Sequence, residues 1–158
     1  MNFLTEHGIS SYGELESKLT AISARRDTAH TEIKRIENRA AELALVMKHA
    51  GTYRQLKPLY DRYRKSNDKE KFLRGHESEI ILFEAAAREL KRLGAVPLPT
   101  TESMKTELAN LNAEKERLLA EYKAARAEAQ EYETVKQNVD ALLTVAKEQE
   151  QQRRHELE

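Results

Sequence analysis

Hydrophobic positions along this chain fall into two long sevenfold repeats, one late and one early. In the last third, Met104, Leu111, Leu118, Ala125, Tyr132, Val139 and Ala146 stand seven residues apart without a miss. Leu108, Tyr122, Ala129 and Leu143 interleave with them, and Lys115 and Lys136 are the only charged members of this seam. No Gly or Pro interrupts it. The spacing predicts one helix over 101–152, ~78 Å long at ~1.5 Å per residue, with an apolar stripe that needs a partner helix. The early repeat opens at Ser11 with Glu14, the form of a capping box. From there Leu15, Leu19, Ile22, Ala29, Ile33, Ile36, Ala40, Leu43, Met47 and Ala50 keep the same 3-4 spacing, with Arg26 as the one intruder. This predicts a first helix over 11–50, stopped by Gly51.

Between the repeats the signals are shorter. Thr52 with Gln55 can cap a second helix, 52–65, carrying Tyr53, Leu56, Leu59, Tyr60 and Tyr63. Pro58 lies too deep for a first-turn proline and predicts a kink or restart near Lys57. Ser66-Asn67-Asp68 breaks the pattern and caps a third helix, 68–93, with Phe72, His76, Ile80, Phe83, Ala87 and Leu90 on one face. The apolar run from Ile80 to Phe83 predicts burial on more than one side. Gly75 inside that helix costs roughly 1 kcal/mol against alanine. Gly94 ends it, Ala95 to Thr100 with Pro97 and Pro99 reads as a stiff extended linker, and Thr100 or Thr101 caps the last helix.

Residues 1–10 read as an irregular lead-in, and those after Ala146 lose the seam and are expected to fray. The predicted fold class is all-α: an elongated helical bundle with a long antiparallel coiled-coil arm. A single helical domain, 1–158, would have a head at about 40–125 and a two-helix stalk pairing about 11–35 with 126–152.

Composition sharpens this picture. Charged residues make up 34% of the chain while Gly and Pro number five and three, the balance of long helices. With 27 cations against 27 anions, no global field draws the protein to nucleic acid or anionic lipid. Absence of cysteine excludes disulfides and thiolate metal sites and suits a reducing cytoplasm. The longest apolar run, Leu43 to Met47, is far short of the ~20 residues a bilayer requires, so no membrane insertion is expected. The opening MNFLTEHG has neither the basic start nor the apolar stretch of a secretory signal.

Catalytic patterns are missing. The five histidines, His7, His30, His49, His76 and His155, are scattered singles. A di-iron bundle wants two Glu-x-x-His pairs with two further carboxylates, and only Asp27-x-x-His30 comes near, once. His76 therefore reads as a hydrogen-bonded core or boundary residue. No Ser or Thr stands in a nucleophile-elbow setting, and the five glycines are dispersed as helix punctuation, with no phosphate-cradling loop. The chain reads as non-enzymatic, with no metal and no cofactor. Lys115, Lys136 and Arg26 read as register-setting seam residues that snorkel to nearby acids.

Local charge is the best functional hint. From Tyr53 to Arg74 eight cations (Arg54, Lys57, Arg62, Arg64, Lys65, Lys69, Lys71 and Arg74) face three anions (Asp61, Asp68 and Glu70), a net of +5. From Ala127 to Glu158 eight acids stand against four bases, a net of −4. A basic loop with tyrosines between its cations can track a DNA backbone and offer stacking surface. The plainer reading is a solvated helix junction whose tyrosines are buried in the head. A third is a basic tip that pairs with the acidic stalk of another copy.

KFLRGHESEIILFEAAARELK (Lys71 to Lys91), the LP before a helix, AEKERLLAEYKAARAE (Ala113 to Glu128) and VKQNVDALL (Val135 to Leu143) resemble the C-terminal region of relaxase/mobilization nucleases. These belong to conjugative and mobilizable elements of Firmicutes and their relatives. YRQLKPLYDRYRK (Tyr53 to Lys65) and the opening ISSYGELESKL fit the same region in the same order. In that family an N-terminal domain nicks DNA with a tyrosine nucleophile and a histidine-bound metal ion, and no motif of that kind stands here. The resemblance implies a C-terminal helical module of a conjugative relaxase, serving DNA contact at a transfer origin, self-association as a homodimer, or docking to accessory and coupling proteins during plasmid or transposon mobilization. The rival expectation is a structural coiled-coil scaffold or dimerisation domain that touches only protein.

Overall fold

The structure, a computed structural model, describes residues 2–157. It is an all-α helical bundle of α1 (Phe3–Glu6), α2 (Tyr12–Lys65), α3 (Lys69–Arg92) and α4 (Thr101–Glu156), with no strand among the described residues.

α2 is longer than the sequence pattern predicts. Gly51 does not stop a helix and Pro58 does not restart one: both lie inside a single helix of 54 residues. Thr52 caps nothing; its hydroxyl donates to the Lys48 carbonyl one turn back. The reason is burial on either side of the weak points. Val46 is 4%, Ala50 0% and Leu59 9% exposed. Gly and Pro cost about 1 and 3 kcal/mol in a helix interior, while each fully buried large apolar side chain contributes about 1.5–3 kcal/mol. Continuity wins. Gly51 is exposed, and a Cβ added there would meet nothing within 4 Å. Gly51→Ala is therefore expected to stabilise the protein by about 0.8–1 kcal/mol, measured by urea unfolding. A loss of stability would mean that the helix is interrupted at this residue.

The caps explain the other boundaries. Ser11 Oγ accepts from the Glu14 amide at 3.2 Å, but Glu14 closes the box on Ser10, accepting from its amide at 2.8 Å and its hydroxyl at 3.0 Å. These bonds hold the Glu14 carboxyl below its ordinary pKa. Asp68 accepts from the Lys71 amide at 3.1 Å and starts α3. At the far end Gly94 takes φ +70° and donates to the Lys91 carbonyl, while Ala95 donates to that of Leu90. This is a Schellman closure, and glycine is the residue that adopts the left-handed position without strain. Thr100 Oγ1 accepts from the Ser103 amide at 3.1 Å and caps α4.

The helices are divided between two compact units. One comprises the chain up to Ile33 together with the chain from Glu116 onward. Tyr12 bonds Asp140, Arg25 bonds Glu128 at 2.8 Å, and the His30 ring lies tilted against Tyr122 at 5.7 Å. One number falls as the other rises, so the two strips of helix run antiparallel. The Asp140 carboxylate, as hydrogen-bond acceptor, pushes the Tyr12 phenol up to about 12. Ile9, Leu15, Ile22, Ala129 and Tyr132 form one core cluster of this unit. The lead-in is not irregular: α1 lays Phe3 and Leu4 against that core, with Phe3 edge-on to Tyr132 at 5.0 Å.

The end of α4 also departs from expectation. It stays helical to Glu156, although every residue from Asp140 to Leu157 is exposed. Its Glu, Gln, Lys and Arg are good helix formers, and Glu150 pairs with Arg154 at 3.2 Å, so loss of the seam does not end the helix. Leu142, Leu143 and Val145 are left 70%, 48% and 49% exposed.

The second unit is Lys34 to Lys115: the rest of α2, all of α3, the linker and the first turns of α4. Ile36, Leu43, Val46, Ala50 and Leu59 of α2 are buried here, as are Ile80, Phe83, Ala86 and Leu90 of α3 and Met104 and Leu111 of α4. Arg39 grips Glu107 with two bonds of 2.7 and 3.1 Å, which lowers the Glu107 carboxyl pKa. Lys115, the seam lysine, reaches Glu37 at 3.4 Å. The Val96–Pro97 peptide bond in the linker is cis.

Candidate nucleic-acid interface

The eight cations between Arg54 and Arg74 all belong to the second unit, on the end of α2 and the start of α3. Residues 66–68 alone separate the two helices. Ser66 donates its amide to the Tyr63 carbonyl and its hydroxyl to that of Asp68, so the turn is closed by its own groups. This tight connection places the last turn of α2 beside the first turns of α3.

Not all eight cations are available to a ligand. Arg54 donates through one guanidinium nitrogen to Thr101 Oγ1 at 3.0 Å and through another to the Pro99 carbonyl. It fastens the linker to α2, which is a structural duty. Lys57 pairs with Asp61 at 3.2 Å on its own helix. The remaining six, Arg62, Arg64, Lys65, Lys69, Lys71 and Arg74, are exposed. None of them holds a side-chain hydrogen bond or ion pair among the described residues. Two of the three anions are occupied, Asp61 by Lys57 and Asp68 by the α3 cap, which leaves Glu70.

The tyrosines among these cations are placed differently. Phe83 is 5% exposed and lies between Tyr53, at 4.8 Å and 27°, and Tyr60, at 4.3 Å and 25°. Tyr60 continues to Tyr63 at 5.9 Å, Tyr63 to Phe72 at 6.0 Å, and Phe72 to His76 at 4.7 Å. Six rings thus run as one ladder between α2 and α3. It binds the two helices together, since each stacked pair adds about 0.5–1.5 kcal/mol beyond its area.

His76, the last ring, departs from the hydrogen-bonded residue expected there. Its backbone leaves the helix, at φ −137° and ψ 25°, directly after Gly75. Nδ1 is buried with no hydrogen-bond partner among the described residues, and the Glu79 Oε1 carboxylate oxygen stands 3.7 Å away. The break points the imidazole at Phe72 instead of at an acceptor.

A groove of about 410 Å³ lies along the ladder, lined by Tyr53, Tyr60, Phe83 and Ala87 with Lys57, Asp61, Arg64, Glu84 and Arg88. Arg88 lies outside the basic segment of the sequence, and no local charge count points to it. It joins the groove because α3 folds back along α2. Among the described residues no group of three or more His, Cys, Asp or Glu could hold a metal ion. No helix is long and apolar enough to cross a membrane. The cation cluster can neutralise phosphates and hold a polyanion by charge. No protein-family model matches the chain, no curated protein matches it, and no solved structure does.

Proposed function

We propose that this chain is a non-catalytic helical module that contacts DNA through the α2–α3 turn, working in the cytoplasm as the C-terminal region of a relaxase during mobilization. The observation that carries this reading is the set of six exposed cations at one helix junction that have no side-chain partner among the described residues. Unpaired surface cations at this density are held apart from their own acids in a chain with equal numbers of both signs. A DNA backbone is the partner that supplies closely spaced negative charge, one per ~1.7 Å of duplex axis. The resemblance of Tyr53–Lys65 and Lys71–Lys91 to relaxase C-terminal regions supports the same assignment, because those segments carry five of the six cations.

The test is equilibrium binding of oligonucleotides over a range of salt concentrations. If six phosphates are neutralised, the log–log salt slope on duplex DNA is expected near 5, at about 0.9 per contact. No salt-sensitive binding near ~50 mM salt would refute the DNA reading.

A second reading, a protein-only scaffold or dimerisation element, is favoured by the bare end of α4 with Leu142, Leu143 and Val145. Light scattering separates the two. An elongated dimer with silent DNA assays would establish the scaffold, and a monomer would exclude self-association.

A further inference from the structure

We infer that the ligand of the α2–α3 turn is the phosphate backbone of duplex DNA, gripped with no base stacked on the protein. This rests on the DNA reading above and adds which form of DNA the surface takes. Single-strand binders interleave cations with free aromatic plates, and each base that stacks on a ring adds affinity. Here the rings are already committed: Tyr53 and Tyr60 flank Phe83, and Tyr63 sits between Tyr60 and Phe72. Phe83 is buried, and Tyr53, Tyr60, Tyr63 and Phe72 lie half-buried in the junction of α2 and α3.

The rings and the free cations also occupy different places. Of the six unpaired cations only Arg64 lines the aromatic groove. Lys57, Arg64 and Arg88 line it against Asp61 and Glu84, so the groove's charges nearly cancel and the strong positive field lies elsewhere. Arg62, Lys65, Lys69, Lys71 and Arg74 lie outside the groove. What remains is charge without a stacking platform. Such a surface favours the form of DNA with the higher charge density and the stronger counterion release, which is the duplex.

The experiment compares a duplex, a single-stranded oligothymidine and an abasic single strand of equal length on the intact chain, with salt titrations of each. The chain has six tyrosines and no tryptophan, so its intrinsic emission reports directly on tyrosine stacking. The expected result has three parts. Duplex binds more tightly than either single strand. The two single strands bind alike, with a slope near 0.7 per contact against 0.9 for duplex. Tyrosine emission is unquenched throughout. Oligothymidine binding about fivefold or more tighter than the abasic strand, with quenched tyrosine emission, would overturn the inference while leaving DNA binding intact. Single strand preferred over duplex would overturn it equally. Absence of salt-sensitive binding to all three would remove the underlying DNA reading itself.

Discussion

Replacing Phe83 with alanine is expected to lower the unfolding free energy by about 3–5 kcal/mol, the largest effect of any single substitution proposed for this chain. The ring is 5% exposed and sandwiched, with Tyr53 at 4.8 Å on one side and Tyr60 at 4.3 Å on the other. Removing it takes away the transfer free energy of a phenyl group, leaves a cavity, and breaks two stacked pairs at once. The two tyrosines cannot close the gap, because they stand two turns apart on one helix. Urea unfolding followed by helical circular dichroism measures the loss. A change under about 1 kcal/mol would mean that the ladder does not hold α3 against α2. The consequence for function is positional. Tyr63 and Phe72 extend the same ladder to the turn that carries the cations, so a loosened stack should weaken DNA binding without removing any charge.

The second large effect concerns charge. Arg62→Glu, Arg64→Glu and Lys65→Glu together are expected to flatten the duplex salt slope by about 2.7, three contacts at about 0.9 each. Extrapolated from about 1 M salt, where the electrostatic contribution vanishes, that slope amounts to roughly three and a half orders of magnitude in affinity at ~50 mM. The three side chains are exposed and touch no acid among the described residues, so the packed core should survive. They do sit in the last turn of α2, where cations favour the helix end by about 0.3–1 kcal/mol each. A modest fall in stability is therefore expected with glutamates. The triple glutamine variant separates the two effects: it should lose about half of the slope, as the glutamates do, while keeping most of the stability. An unchanged slope in both variants would place DNA, if bound, elsewhere on the protein.

Particular residues show how far local pattern reaches. Asp68 and Gly94 act where their chemistry says they should, because a cap or a left-handed turn is a property of a few consecutive residues. Gly51 and Pro58 did not act as local chemistry suggests. Their penalties are set by the backbone, but the outcome is set by Ala50 and Leu59, whose burial depends on residues far along the chain. The break at His76 is the converse case. The apolar spacing runs unbroken from Phe72 to Leu90, and only the helix penalty of Gly75 points to the residue outside helical values beside it.

The candidate site divides the same way. A net of +5 between Tyr53 and Arg74 is plain in the sequence, whereas the fate of each charge is not. Arg54 is claimed by Thr101 and Pro99, more than forty positions away, and only folding brings them together.

By itself the sequence determined the period. Leu15, Ile22, Ala29, Ile36, Leu43 and Ala50 on one helix, and Met104, Leu111, Leu118, Ala125 and Tyr132 on another, are buried at their sevenfold positions. Periodicity is written in neighbouring residues, so it dictates an all-α chain with two apolar stripes. Tertiary structure alone decided which tyrosine faces were consumed, which six cations stayed free, and that α4 runs on beyond its cover. Those outcomes depend on which surfaces meet across α2, α3 and α4, and no stretch of sequence holds both sides of such a contact.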